Sequence, residues 1–334
     1  MKILAIETSC DDTSAAVLHD GKVLSNVVRS QDDVHRPYGG VVPELASRAH
    51  LRCVLPILET ALRRANLELE DIDAVAVTCG PGLVGSLLVG LNTAKGIAFG
   101  RGLPLIGINH LEGHLLSVHL ASEFRFPYVA LLVSGGHTSL YLAEDLHRYR
   151  LLGATRDDAA GEAFDKVAKL LGFGFPGGRV IDELARSGDP AAIAFPRARL
   201  KPVGNKRRYD FSFSGLKTAV ALYVQEHGPG SEWQRADVAA SFQEAVVEML
   251  LDTTFMALEE TGSSRLAIAG GVSANSRLRE AANKRAAEAG VELAIPPLEY
   301  CTDNAAMIGY AAWTRLRKGE SADWSLNAEP SLEL

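Results

Sequence analysis

Two stretches of this chain carry the same pattern, and that repetition limits the folds open to it more than any other feature. Near the start, Ile3–Ile6 is apolar, Cys10-Asp11-Asp12-Thr13 reads as a turn, and Ser14–Leu18 returns to β-prone residues. Asp20-Gly21 is a strong hairpin signal, with Lys22–Val28 as the third strand. From Tyr128 the pattern recurs. Val129–Val133 reads as a strand, Ser134-Gly135-Gly136-His137-Thr138 as a turn, and Ser139–Leu142 and Tyr149–Leu152 as two more strands. Helices and strands alternate after each meander. Pro43–Ala65 has helical spacing, Ala74–Thr78 is a buried strand, a helix runs from the Gly80–Gly85 loop to about Ala98, and Pro104–Ile108 is a strand. In the second half a long helix covers Asp237–Glu260. It is followed by strand Arg265–Ala269, helix Ala274–Ala289, strand Val291–Ile295 and helix Asp303–Arg317. The expectation is a duplicated α/β architecture with a ligand in a cleft between the lobes.

Composition agrees with this. A length of 334 residues suits two domains. With 47% apolar and 22% charged residues, the chain is neither disordered, collagenous nor a coiled coil. A net charge of −7 argues against a general nucleic-acid binder and leaves room for a local basic patch. Cys10, Cys53, Cys79 and Cys301 are scattered, as free thiols in a reducing compartment are. The opening MKILAIETSC has too short an apolar run for a secretory signal. Val75–Ala98, the most apolar stretch, is broken by Gly80-Pro81-Gly82, Asn92 and Lys95, so no membrane span is expected. These features predict a cytoplasmic protein.

Chemistry concentrates in a few segments. The turns Thr8–Thr13 and Ser134–Thr138 stand in matching places of the two halves, and small residues with exposed N–H groups suit an anion. Asp11 and Asp12 read either as solvated turn residues or as carboxylates facing the ligand. Gly80–Ser86 lacks the lysine of a phosphate loop and reads as a tight strand-to-helix turn. In His110-Leu111-Glu112-Gly113-His114 the histidines are four apart, on one helix face, where both can bind one metal. Two unrelated polar histidines is the plain alternative. A zinc protease needs Glu directly after the first His, whereas Glu112 lies about 200° around the helix from His110. His119 points about 180° away and is a poor third ligand. Asp303, just before the last helix, is a candidate, with an ordinary N-cap as the competing reading. Two His and a carboxylate with open positions suit Fe(II), with zinc second.

Gly161–Lys166, Pro176-Gly177-Gly178 and Asp182 suit close approach to a nucleotide, with Asp165 and Asp182 able to accept ribose hydroxyls. Gly270–Asn275 follows a buried strand and opens a helix, where Asn275 can bond a base edge or ribose. Phe195–Lys217 holds Arg197, Arg199, Lys201, Lys206, Arg207, Arg208 and Lys217 against Asp210, with Phe195, Tyr209, Phe211 and Phe213 interleaved. This is a candidate RNA-docking patch with stacking aromatics, or else a solvated basic loop.

Together IETSCDDTS, YGGVVPELASRAH, GPGLVGSLLVG, NHLEGH, LLVSGGHTSL, DDAAGEAFDKVAKLLG, FSFSGLKT, GGVSAN and YCTDNAAMIG resemble the tRNA threonylcarbamoyltransferase family over nearly the whole chain. The one departure noted is Asp12, where that family usually has Glu. The resemblance implies a bilobal actin-, Hsp70- and sugar-kinase-like α/β fold of two duplicated subdomains with a central cleft. Lobe I would be 1–109 plus 305–334, lobe II 110–304, with ligand and metal between them. It implies transfer of threonylcarbamoyl from threonylcarbamoyl-AMP to N6 of the adenosine 3′ of the anticodon, in tRNAs reading codons that begin with A. The implied metal ligands are His110, His114 and Asp303, for Fe(II) with Zn(II) second. The implied adenylate contacts are Val133, Ser134, Gly135, Gly136, His137, Asp165, Gly178, Asp182 and Asn275. By its place in the first turn of lobe I, Asp11 is a candidate general base, with ordering of the turn or of water around the metal as the competing reading. The implied partners are tRNA, an inactive paralogue and a small ATPase. A sugar or acetate kinase of the same fold explains the turns but not the HxxxH helix, and a metalloprotease is disfavoured by Glu112.

Overall fold

In a computed structural model of the chain, which describes residues 1–198, 209–228 and 232–334, the Asp20-Gly21 dipeptide makes the turn its sequence demands. Both residues have positive φ, 50° and 77°, the geometry that matches the right-handed twist of two antiparallel strands. It joins β2 (Asp12–His19) to β3 (Lys22–Ser30), and β2 pairs antiparallel with β1 (Lys2–Glu7). A short helix α1 (Asp32–His35) and the long α2 (Pro43–Arg64) follow. Then come β4 (Ala74–Gly80), α3 (Val84–Arg101), β5 (Leu105–Asn109) and α4 (His110–Leu116). β4 runs parallel to β1 and β5 parallel to β4, so the sheet order is β3-β2-β1-β4-β5. Leu4, Ile6, Val17, Val54, Ile57, Val75 and Leu91 form part of one apolar core around this sheet.

The second unit repeats the plan. β6 (Tyr128–Val133), β7 (Thr138–Asp145) and β8 (Arg148–Ala154) make an antiparallel meander. Helices α5 (Ala160–Leu170), α6 (Gly177–Ala185), α7 (Ser214–His227) and α8 (Glu232–Thr261) precede β9 (Arg265–Ala269), α9 (Ser276–Ala289) and β10 (Glu292–Ala294). β9 is parallel to β6 and β10 to β9, giving β10-β9-β6-β7-β8, the first sheet's connectivity over again. The duplication expected from the sequence is therefore present strand for strand. α10 (Ala305–Leu316) then returns to the first unit, where it packs on β1, β2 and α4.

The two compact units are residues 1–123 with 303–334, and 124–302. The sequence placed the divisions at 109/110 and 304/305. They fall elsewhere because α4 packs on α10, and a buried ion pair joins them: Arg315 Nε and Nη2 reach Glu112 at 2.9 and 3.1 Å. The segment after α10 crosses the same unit. The Ala322 N–H donates to the Leu105 carbonyl, Glu329 N–H to that of Cys79, and Asn109 Nδ2 to those of Leu332 and Glu333. No helix among the described residues is long and apolar enough to cross a membrane.

Candidate metal centre and active site

α4 begins where Asn109 accepts the Leu111 and Glu112 N–H groups, at 2.8 and 3.4 Å, an N-cap in the first unpaired turn. This fixes His110 and His114 one turn apart. α10 begins at Asn304, whose side chain accepts the Met307 N–H at 3.0 Å, while Ser14 Oγ accepts the N–H of Ala305. Asn304, not Asp303, is thus the cap, and the plain reading of Asp303 falls. With the cap filled by its neighbour, the Asp303 carboxylate lies against both imidazoles: Oδ1 is 3.1 Å from His114 Nε2 and 3.5 Å from His110 Nε2. One donor atom from each residue lies within 4.8 Å of the other two. All three belong to the first unit.

The surroundings suit a cation. His110 Nδ1 sits 3.0 Å from Glu7 Oε2 and 3.1 Å from Ser9 Oγ. Glu7 is fully buried at the end of β1 and also accepts from Ser9 N–H and Thr78 Oγ1. A carboxylate on Nδ1–H leaves Nε2, which faces Asp303, as the nitrogen that would ligate once its proton is displaced, as a metal-binding histidine requires. Burial opposes charge on His110, yet Asp303 and Glu7 together outweigh it and push its pKa up to about 9. On His114 burial prevails and the pKa falls. Its Nδ1 is buried without a hydrogen-bond partner among the described residues, so Nε2 carries the ring's polar contact. A donor set of two imidazoles and a carboxylate, one imidazole oriented by a second buried carboxylate, fits a divalent transition metal. Glu7 was not anticipated. Its signal was a carboxylate ending the apolar run Ile3–Ile6, which burial obliges to find a partner.

Glu112 is fully buried and engaged by Arg315, so it is not a base for metal-bound water. His119 stacks on Tyr310 with ring centres 6.0 Å apart and is not part of the cluster.

Asp11 ends the loop between β1 and β2, and Asp12 is the first residue of β2. Burial raises both carboxyls, with Asp303 adding to each, and Asp12 reaches about 8. In both, the low-dielectric surroundings and the neighbouring carboxylate favour the protonated form.

In the second unit the Ser134 turn is closed by its own bonds: Ser134 N–H to the His137 carbonyl at 2.8 Å, His137 N–H to Ser134 Oγ at 3.1 Å. The start of α5 presses on it. A Cβ at Gly161 would lie 2.7 Å from the Ser134 oxygen and from Gly135 Cα. Gly270 has a φ of 91°, and a Cβ there would lie 2.4 Å from the Val133 oxygen. The carboxyl ends of parallel β6 and β9 are thus held backbone to backbone, the place where α/β sheets bind ligands. The remaining anticipated residues gather at helix starts nearby. Asp165 accepts the Gly177 N–H at 2.7 Å, and Gly178 is in the first turn of α6. Asp182 Oδ1 accepts Ser276 N–H and Oγ at 3.2 and 2.8 Å. Asn275 caps α9 and donates to Gln243 Oε1 at 2.7 Å.

The basic segment is read differently in the structure. Arg199, Lys201, Lys206, Arg207 and Arg208 lie outside the described residues. Arg197 pairs with Glu248 and Lys217 with Asp158, both at 2.6 Å. Phe195, Tyr209, Phe211 and Phe213 are core residues no more than 7% exposed, so they do not stack on bases. Apolar burial outweighs any docking role for these rings.

A family model described as tRNA N6-adenosine threonylcarbamoyltransferase matches residues 22–310. Proteins of that name from Anaeromyxobacter dehalogenans (strain 2CP-C), Syntrophotalea carbinolica and Kosmotoga olearia are 56, 53 and 50% identical to this chain. The alignments cover all of this chain and 99, 97 and 99% of those proteins. Two solved structures share the fold. Component A of (R)-2-hydroxyglutaryl-CoA dehydratase from Acidaminococcus fermentans has a TM-score of 0.55 at 16% identity, over 95% of this chain and 99% of that one. Full-length HypF has 0.62 at 14%, over 94% of this chain and 55% of that one.

Proposed function

This chain belongs to the tRNA N6-adenosine threonylcarbamoyltransferase family, and from that premise we propose a division of labour between its units. Its activity is transfer of a threonylcarbamoyl group to N6 of an adenosine in tRNA, on two duplicated α/β units of the actin-, Hsp70- and sugar-kinase-like type. The donor is threonylcarbamoyl-AMP and the acceptor is the adenosine 3′ of the anticodon, in tRNAs reading codons that begin with A. The second unit holds the adenylate. Ser134–His137 and the start of α5 take the phosphate. Val133, Asp165, Gly178, Asp182 and Asn275 shape the seat for ribose and adenine.

His110, His114 and Asp303 hold one divalent ion, Fe(II) before Zn(II), and Glu7 keeps His110 in the tautomer that can ligate. When bound, the ion supplies Lewis-acid and template chemistry at the threonylcarbamoyl end. Asp11 accepts the proton from N6 as nitrogen bonds to the carbamoyl carbon. The bond from that carbon to the phosphate oxygen breaks, and AMP leaves with the electron pair. Base assistance of this kind is worth about 10²–10⁴-fold.

The convergence of His110, His114 and Asp303 carries this reading. His114→Ala is expected to lose bound metal and transfer together; full metal content in that variant refutes the assignment. A metalloprotease is not favoured, because Glu112 is spent on Arg315.

The protein works in the cytoplasm with an inactive paralogue and a small ATPase. An apolar face on the first unit supports docking of the paralogue. Leu51 and Leu55 on α2 are 65 and 58% exposed, and Val84 and Leu88 on α3, which packs on α2, are 53 and 38% exposed. Leu55→Asp should abolish co-purification with the paralogue while metal content stays normal.

A further inference from the structure

The loop that carries Asp11 is held by a chain of side chains whose hydrogen bonds run one way. The Val42 N–H donates to His35 Nδ1 at 3.2 Å. His35 Nδ1 is therefore an acceptor, its proton is on Nε2, and Nε2 faces Gln31 Oε1 at 3.2 Å. With Oε1 accepting, the Gln31 amide nitrogen donates to His50 Nδ1 at 3.3 Å. His50 Nδ1 also receives Thr13 Oγ1 at 2.8 Å. The His50 proton is thus on Nε2, which donates to the Cys10 carbonyl at 2.9 Å. The backbone N–H of Gln31 donates to the next carbonyl, that of Asp11, at 3.1 Å.

One imidazole thus spans the junction of loop and strand, from Cys10 to Thr13 of β2, and Gln31 holds the Asp11 carbonyl between them. His35 and His50 are fully buried and Gln31 is 3% exposed, and such a network is rigid only when each member is satisfied. Neutral rings are required, because a protonated Nδ1 would meet the Val42 N–H or the Gln31 amide as a second donor. Burial lowers the His50 pKa, outweighing the hydrogen bond to the Cys10 carbonyl and the attraction of Glu7.

We propose that His50, with Gln31 and His35, is a positioning residue for transfer: it clamps the segment Cys10–Thr13 and so fixes where the Asp11 carboxylate meets the acceptor amine. This rests on the reading of Asp11 as base. A base misplaced by about 1 Å costs on the order of 10²-fold, without change in metal or donor binding.

The test compares His50→Leu, His50→Gln and Asp11→Asn in single-turnover transfer to tRNA, with metal content and threonylcarbamoyl-AMP affinity measured alongside. His50→Leu should lower transfer at least tenfold with donor affinity within twofold. His50→Gln, whose amide can still donate to the Cys10 carbonyl, should recover transfer to within a few-fold. In the Asp11→Asn background, His50→Leu should cost little more, because both changes remove one contribution. Transfer within twofold of the parent in His50→Leu overturns the proposal, as does equal loss in the Leu and Gln variants. Full transfer in Asp11→Asn with loss in His50→Leu overturns the Asp11 reading instead. Nitrogen-15 NMR of the His50 ring is a check independent of Asp11. A neutral Nε2–H tautomer at pH 7.5 is expected, and a protonated or Nδ1–H ring refutes the clamp.

Discussion

Glu7→Gln replaces a buried carboxylate by an amide of nearly the same shape, and the donors around it define what must go wrong. Glu7 Oε1 accepts the Ser9 N–H at 2.5 Å, and Oε2 accepts Thr78 Oγ1 at 2.5 Å and His110 Nδ1 at 3.0 Å. An amide has one oxygen. If it keeps the Ser9 N–H, which cannot turn away, the amide nitrogen faces Thr78 and His110. The Thr78 hydroxyl can rotate to accept. His110 can accept only by moving its proton to Nε2, the nitrogen that faces Asp303 and His114. If the amide is flipped, its nitrogen meets the Ser9 N–H and one buried donor loses its acceptor. Either outcome costs about 1–3 kcal/mol, about 5- to 150-fold in metal affinity, in line with the 10- to 100-fold typical of lost carboxylate–histidine support. Titration of the metal-free protein with Co(II), followed by its visible bands, measures this directly. The expected result is weaker binding by one to two orders of magnitude, with the melting temperature in the absence of metal lowered by about 2–12 °C. Affinity within twofold of the parent would show that Glu7 does not set the His110 tautomer.

Arg315→Met removes the guanidinium that pairs with buried Glu112, a loss of about 3–5 kcal/mol. Thermal melts should fall by at least about 6 °C and recover most of the way in Glu112→Leu with Arg315→Met; a fall under 2 °C counts against the pair. Burial holds the His119 pKa down at about 4, below the value near 6.5 of an unfolded chain. The native state binds fewer protons between those values, so stability falls as pH drops from 6.5 to 4, by at most about 3 kcal/mol; His119→Phe should flatten that slope, and an unchanged slope refutes the assignment. Gly161→Ala pushes a methyl into the Ser134 turn and should weaken threonylcarbamoyl-AMP binding at least tenfold with normal metal content; calorimetry showing equal affinity would place the donor elsewhere.

The duplication was legible because each half repeats an apolar run, a polar or Gly-rich turn and a β-prone run, with β1, β2 and β6 buried almost throughout, and because Asp20-Gly21 has one favoured turn. His110 and His114 were legible because helical spacing alone puts them on one face. Asp303 was not, since a carboxylate before a helix is the ordinary mark of a cap; only the side chain of Asn304, which takes that role, releases it. The aromatics of Phe195–Phe213 misled for a related reason. Interleaved with cations they look like a stacking surface, and nothing local tells a ring in the core from one on it. The unit boundary was missed because packing of α4 on α10 joins residues with nearly two hundred others between them.

That last feature orders events in time. His114 and Asp303 are 189 positions apart, and the residues between them form a compact unit of their own. As the chain emerges from the ribosome, the second unit has all its strands before the first has its closing helix. The usual case, in which the N-terminal body is synthesised whole before the next begins, does not hold for a unit built from residues 1–123 and 303–334. Until residue 303 is made, Glu7 and the two histidines lack the carboxylate that completes their set. The His110–His114–Asp303 cluster is therefore among the last parts of this protein to be completed as the chain is made.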